Sequence, residues 1–104
     1  MNPCYVLTNE AEQDLREIIR YTRKEHGEKQ VRTYVSQLNQ GMKYLAIGKG
    51  NSRTFPDIHP DLCMIRCEHH YIFCLGNVTQ PVVVIAILHE RMDMVHRIRD
   101  RLGS

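Results

Sequence analysis

The amino-acid sequence predicts an α+β fold of order β-α-α-β-β-β-α, a helical hairpin packed on a mostly antiparallel sheet with a short C-terminal helix. Two observations carry most of that expectation. Residues 9–46 hold two amphipathic stretches with helical spacing, and residues 62–89 hold three β-prone runs. Helices and strands are therefore grouped, not alternated as a parallel α/β sheet requires. The third observation is length. The chain has 104 residues, enough for one domain over 1–104 and too few for two.

Cys4-Tyr5-Val6-Leu7 is a short β-prone run and predicts the first strand. Thr8 and Asn9 offer a helix cap, and with Asn9 as the cap Glu12 takes the capping-box position. Ala11, Leu15, Ile18, Ile19 and Thr22 then recur at helical spacing, with Glu10, Asp14, Arg16 and Glu17 outside the apolar stripe. Gly27 ends this helix. A second helix is predicted over 28–46, its stripe formed by Val31, Tyr34, Val35, Leu38, Met42 and Leu45. Gly41 interrupts it at a cost of about 1 kcal/mol relative to alanine, which suggests that another backbone approaches there. The short join predicts an antiparallel αα-hairpin.

Residues 48–60, punctuated by Gly48, Gly50, Asn51, Pro56 and Pro60, read as a loop. Strands follow over 62–68, 70–75 and 82–89, with a turn across 76–81. The run from Val82 to Leu88 is almost wholly apolar and predicts a central strand covered on both faces. Asp93 caps a last helix with Met94, Ile98 and Leu102 on one side.

Composition excludes several classes. Hydrophobic residues make up 42% and charged residues 25%, an ordinary globular balance without low-complexity segments. The first ten residues lack the basic and apolar regions of a secretory signal, and the longest apolar run falls far short of the roughly 20 residues that span a bilayer. A soluble, cytoplasmic protein without a membrane partner is expected, with Cys4, Cys63, Cys67 and Cys74 as reduced thiols. A net charge of +2 does not argue for nucleic acid, although Arg91, Arg97, Arg99 and Arg101 crowd the C-terminal end.

Four constellations could carry chemistry. Cys63, Cys67, His69 and His70, with His59 nearby, are zinc-ligand types. Cys63 and Cys67 stand about 13 Å apart along a strand, too far to share one ion. Cys67 and Cys74 as nucleophiles need an adjacent base, and strand alternation turns the nearest histidines away. His89, Glu90, Arg91 and Arg66 are the types required for acid–base cleavage of RNA, against a plain solvated strand end. Arg97 and Arg101, four apart on a helix, share a face that would suit an acidic partner or DNA phosphates. No metal or cofactor is expected.

Beyond this point the chain resembles a family. Tyr5-Val6-Leu7-Thr8, Ala11-Glu12-Gln13-Asp14-Leu15 and Ile18-Ile19-Arg20-Tyr21-Thr22 are similar to the first strand and helix of ParE toxins. Cys67-Glu68-His69-His70-Tyr71-Ile72-Phe73-Cys74 and Ile87-Leu88-His89-Glu90-Arg91-Met92-Asp93 resemble ParE toxins of plasmid addiction systems more specifically. The resemblance covers the chain in order, with gaps near 48–57. It implies a RelE/ParE-like fold and a toxin that traps DNA gyrase on cleaved DNA without catalysing a reaction. It further implies a ParD-like antitoxin that wraps and neutralises the toxin, and contact with operator DNA only through that antitoxin. RelE-type mRNA nucleases share the fold. At the positions where those enzymes carry their basic and tyrosine groups, this sequence has Leu62, Met64, Tyr71, Glu90 and His96. A rearranged nuclease and a non-toxic relative that only binds antitoxin are the alternatives. The expected gyrase surface is His89, Arg91, Met92, Asp93, Arg97 and Arg101. The expected antitoxin surface is Tyr21, Tyr34, Leu38 and Arg66.

Overall fold

A computed structural model describes residues 5–48, 52–76 and 81–103. Cys4, Gly50, Asn51 and positions 77–80 of the expected turn lie outside them. Strand β1 (Tyr5–Leu7) leads into helix α1 (Asn9–His26), which joins α2 (Glu28–Ile47). Strands β2 (Arg53–Thr54), β3 (Leu62–Cys67), β4 (His70–Leu75) and β5 (Val82–His89) precede helix α3 (Met94–Arg101). The order agrees with expectation except for β2. That two-residue strand, exposed at both positions, lies inside the segment read as loop and has no periodicity to betray it.

Thr8, not Asn9, caps α1: its hydroxyl accepts the Ala11 amide proton at 3.1 Å. Gly27 closes α1 and opens α2 with φ of 87°, a conformation that only glycine adopts freely. Arg23 and Glu28 form an exposed ion pair across this join. Asp93 caps α3 as expected, its carboxylate accepting from the His96 amide.

The sheet order is β1-β5-β4-β3-β2. Among the described strands only the β1–β5 pair is parallel. The β3–β4 hairpin turns through Glu68 and His69, with Cys67 opposite His70 and Glu68 at φ of 53°. Hairpin α1–α2 covers one face, where Leu38, Met42, Ile65, Ile72, Val84 and Ile87 pack together. Helix α3 and the 55–58 loop cover the other, against Leu62, Met64, Phe73, Ile85 and Leu88. Strand β5 is thus buried on both sides, which accounts for its uninterrupted apolar run. A bulge opposite Phe73 and Cys74 breaks its alternation and turns both Ile85 and Ala86 toward α3.

Gly41 admits a side chain, not a backbone. A Cβ there would lie 3.0 Å from Ile72 Cδ1. Gly41→Val is therefore expected to destabilise the fold by about 1–2 kcal/mol through overpacking. A denaturant midpoint equal to wild type would show that Ile72 yields without cost.

Candidate functional site

Where the hairpin join stands over the strand ends, the two layers part into a groove of about 690 Å³. Helix α1 contributes Glu17, Tyr21, Thr22 and His26, and α2 contributes Gln30, Tyr34 and Gln37. The β3–β4 turn brings Glu68, His69 and His70, and the end of β5 with its following turn brings Ile87, His89 and Met92. Among the described residues no lysine or arginine lines the groove. Tyr21 and Met92 stand exposed at its mouth.

Tyr34 and His70 form the floor. The Tyr34 hydroxyl lies 3.2 Å from the Cys67 carbonyl and 2.5 Å from His70 Nδ1. A hydroxyl has one proton, so both contacts are hydrogen bonds only when His70 Nδ1–H donates to Tyr34 and Tyr34 donates to Cys67. His70 also meets the His89 ring edge-on, at 5.2 Å between centroids, and His69 stacks on His89. Burial, reinforced by His89 and His69, pushes the His70 pKa down to about 4, so this imidazole is neutral at physiological pH. Burial likewise raises Tyr34.

Cross-strand pairing places His70 opposite Cys67, which alternation along a single strand did not anticipate. Cys67 is nonetheless no activated nucleophile: burial and the nearby Glu68 raise its pKa. Cys63 and Cys74 face one another across the same hairpin as free thiols. Among the described residues no group of three or more His, Cys, Asp or Glu side chains is placed to hold a metal ion.

Beside the groove, Glu90 accepts hydrogen bonds from Arg66 and His69, each at 2.8 Å. His69 and Arg66 hold its carboxyl below the ordinary range. Arg66 also reaches the Glu68 carbonyl and the Tyr71 hydroxyl, and its guanidinium lies 5.6 Å from the Tyr71 ring centre.

The structure redistributes the expected site residues. Tyr21 and Tyr34, both expected to meet the antitoxin, line the same groove. Leu38 does not: it is 0% exposed in the core and presents nothing to a partner. Arg66 stands outside the groove lining and engages Glu90. His89 and Met92, expected to face gyrase, share the groove with the two tyrosines. Arg91 and Arg97 are exposed, whereas Asp93 is tied up as the α3 cap.

Arg101 departs most from expectation. It does not share a free basic face with Arg97. Its guanidinium grips Asp14 through both terminal nitrogens and the Ile85 carbonyl through one. Asp14, expected outside the α1 stripe, is turned inward and also accepts the Ile87 amide proton at 2.9 Å. Strand β1 pairs with β5 only as far as Val84. Beyond it, Asp14 and Arg101 satisfy backbone groups of β5 that have lost their neighbouring strand. The pair joins residues 87 apart, and no local pattern announces such a contact.

Leu62 and Met64, at positions where the nuclease relatives carry basic groups, are core residues at 0% and 6% exposure. Their side chains point away from the groove, into the layer under α3.

Three comparisons with known proteins agree. The profile of the family described as ParE toxin of type II toxin-antitoxin system, parDE, matches residues 5–94. A protein called Toxin ParE from Escherichia coli is 55% identical over 99 residues, covering 95% of this chain and 96% of its own length. A solved structure titled Chromosomal ParDE TA system from P. aeruginosa superimposes with a TM-score of 0.64 over 82% of this chain and 92% of that one. At 17% identity that likeness speaks to the fold alone.

Proposed function

The chain belongs to the ParE toxin family of type II parDE toxin–antitoxin systems, and from that premise we propose that it arrests growth by binding DNA gyrase and is neutralised by a ParD-like antitoxin. It acts in the cytoplasm as a single toxin domain, and reaches operator DNA only through the antitoxin. Binding needs no catalytic group. A protein that prefers the cleaved gyrase–DNA state over the resealed one shifts the population toward breaks. Making a rare state dominant takes roughly 5 kcal/mol of preference.

The observation that most favours binding over RNA cleavage is the burial of Leu62 and Met64. Cleavage at a phosphate requires cations at the scissile group. Here the described residues of the groove include carboxylates and histidines but no lysine or arginine, and Arg66 is engaged by Glu90. A rearranged nuclease retains one supporting feature, the contact of His69, His70 and His89 beside Glu90. In this reading the gyrase surface comprises Arg91, Met92 and Arg97, beside His89. Arg101 belongs to the fold and not to that surface.

The test is a plasmid assay with purified gyrase, ATP and the protein. Loss of supercoiling with accumulation of linear DNA after protease treatment is expected. Arg91→Ala with Arg97→Ala is expected to raise the concentration needed by at least about tenfold, with unchanged thermal stability, because both side chains are exposed. Undisturbed gyrase from a matched host, together with cleavage of ribosome-bound mRNA that His89→Ala abolishes, would transfer the assignment to the nuclease reading.

A further inference from the structure

Within the reading that an antitoxin neutralises this toxin, the groove specifies the chemistry of its occupant. We propose that it is the seat of a basic anchor, a lysine or arginine side chain presented with apolar neighbours by an extended segment of the antitoxin.

The charge pattern argues for this. Glu17 and Glu68 line the groove from two different elements, one on α1 and one at the β3–β4 turn. Neither has an ion-pair partner among the described residues. Asp14 also lines the groove but is already neutralised by Arg101. Arg101, held by Asp14, reaches Glu17 only as a more distant charge, so an apolar partner alone would desolvate both carboxylates without a close counter-charge, which is costly. A nucleic-acid backbone would meet like charge.

The shape argues for it too. Tyr21, 63% exposed, stands one helical turn from Glu17 on the same side of α1. An aromatic face beside a carboxylate favours a guanidinium or ammonium over a neutral side chain. Met92, 40% exposed and lining the same groove from beyond β5, offers a flexible apolar surface for the flanking residues. The neutral floor of Tyr34 and His70 adds no competing cation.

One consequence concerns mechanism. An occupant of this groove covers Met92, which belongs to the surface assigned to gyrase, and His89 beside it. Neutralisation then follows from occlusion and needs no change in the toxin's shape.

The experiment measures ParD antitoxin binding by calorimetry at low and high salt. Glu17→Lys with Glu68→Lys is expected to weaken binding by at least about 30-fold. Asp57→Lys with Asp61→Lys makes the same change of net charge on residues outside the groove, and is expected to change binding by less than about threefold. Should the first pair of lysines impair folding, Glu17→Gln with Glu68→Gln removes the charges isosterically and is expected to weaken binding about tenfold. Equal losses in groove and control variants, or undiminished binding by the glutamine variant, would overturn the basic anchor. Failure of the wild-type toxin to bind the antitoxin would instead overturn the neutralisation reading on which the anchor rests.

Discussion

Arg101→Ala is expected to lower stability by about 3 kcal/mol and the thermal midpoint by roughly 15 °C. The Arg101 and Asp14 side chains are only 15% and 13% exposed, so solvent screens their attraction weakly. Removing the guanidinium leaves a nearly buried carboxylate without its counter-charge and the Ile85 carbonyl without its side-chain donor. It also frees the last turn of α3, whose hold on the sheet otherwise rests on Ile98 with Met94 and Leu102. Arg101→Lys should recover part of the loss, since an ammonium supplies charge without the planar fork that grips both oxygens of Asp14. Asp14→Ala combined with Arg101→Ala should cost less than the two single losses added together, because neither partner is then left alone. Thermal melts of these three variants and of Asp14→Ala alone measure this, and a midpoint within about 2 °C of wild type for Arg101→Ala would remove the clasp from the list of stabilising contacts.

Acid should destabilise the protein well before its carboxylates titrate. The folded state holds His70 neutral down to about 4, whereas an unfolded histidine takes up a proton near 6.5. Between those values the unfolded chain binds the additional proton, so stability falls as pH falls through this window. At about 1.4 kcal/mol per pH unit the loss has an upper bound of roughly 3 kcal/mol, which solvent around the half-buried ring reduces. His70→Asn removes the titration while its amide still donates to Tyr34, as the Nδ1–H does. Urea unfolding at a series of pH values should show a clear slope for wild type between 6.5 and 4 and a flatter one for His70→Asn. Parallel slopes would place the proton uptake elsewhere.

Much of the fold was legible because it rests on local repetition. The two helical stripes, the Gly27 break, the Asp93 cap and the apolar run of β5 each follow from periodicities of a few residues, and the structure bears them out. Errors arose where a neighbour distant in sequence intervened. Asn9 and Thr8 are both good caps, and the register of β1 against β5 selected Thr8, whose amide donates to the Val84 carbonyl. Strand β2 exists through its pairing with β3, not through a pattern of its own. Gly41 faces the side chain of Ile72, a residue whose position depends on the sheet register.

The sequence by itself determined the order of elements, the double burial of β5 and, through its motifs, membership of the family. Those properties depend on spacing along the chain and on residue type, which a sequence displays directly. Only the tertiary structure decided which charged groups are free and which are consumed. Arg97 and Arg101 look alike four residues apart on one helix, yet one meets solvent and the other closes the edge of β5 against Asp14. Tyr21, Tyr34, His89 and Met92 belonged to two separate expectations until the folding of α1, α2 and β5 around one groove joined them. The physical reason is common to both cases: whether a charge is screened or a ring exposed is set by what lies within a few ångströms, and those neighbours come from distant parts of the chain.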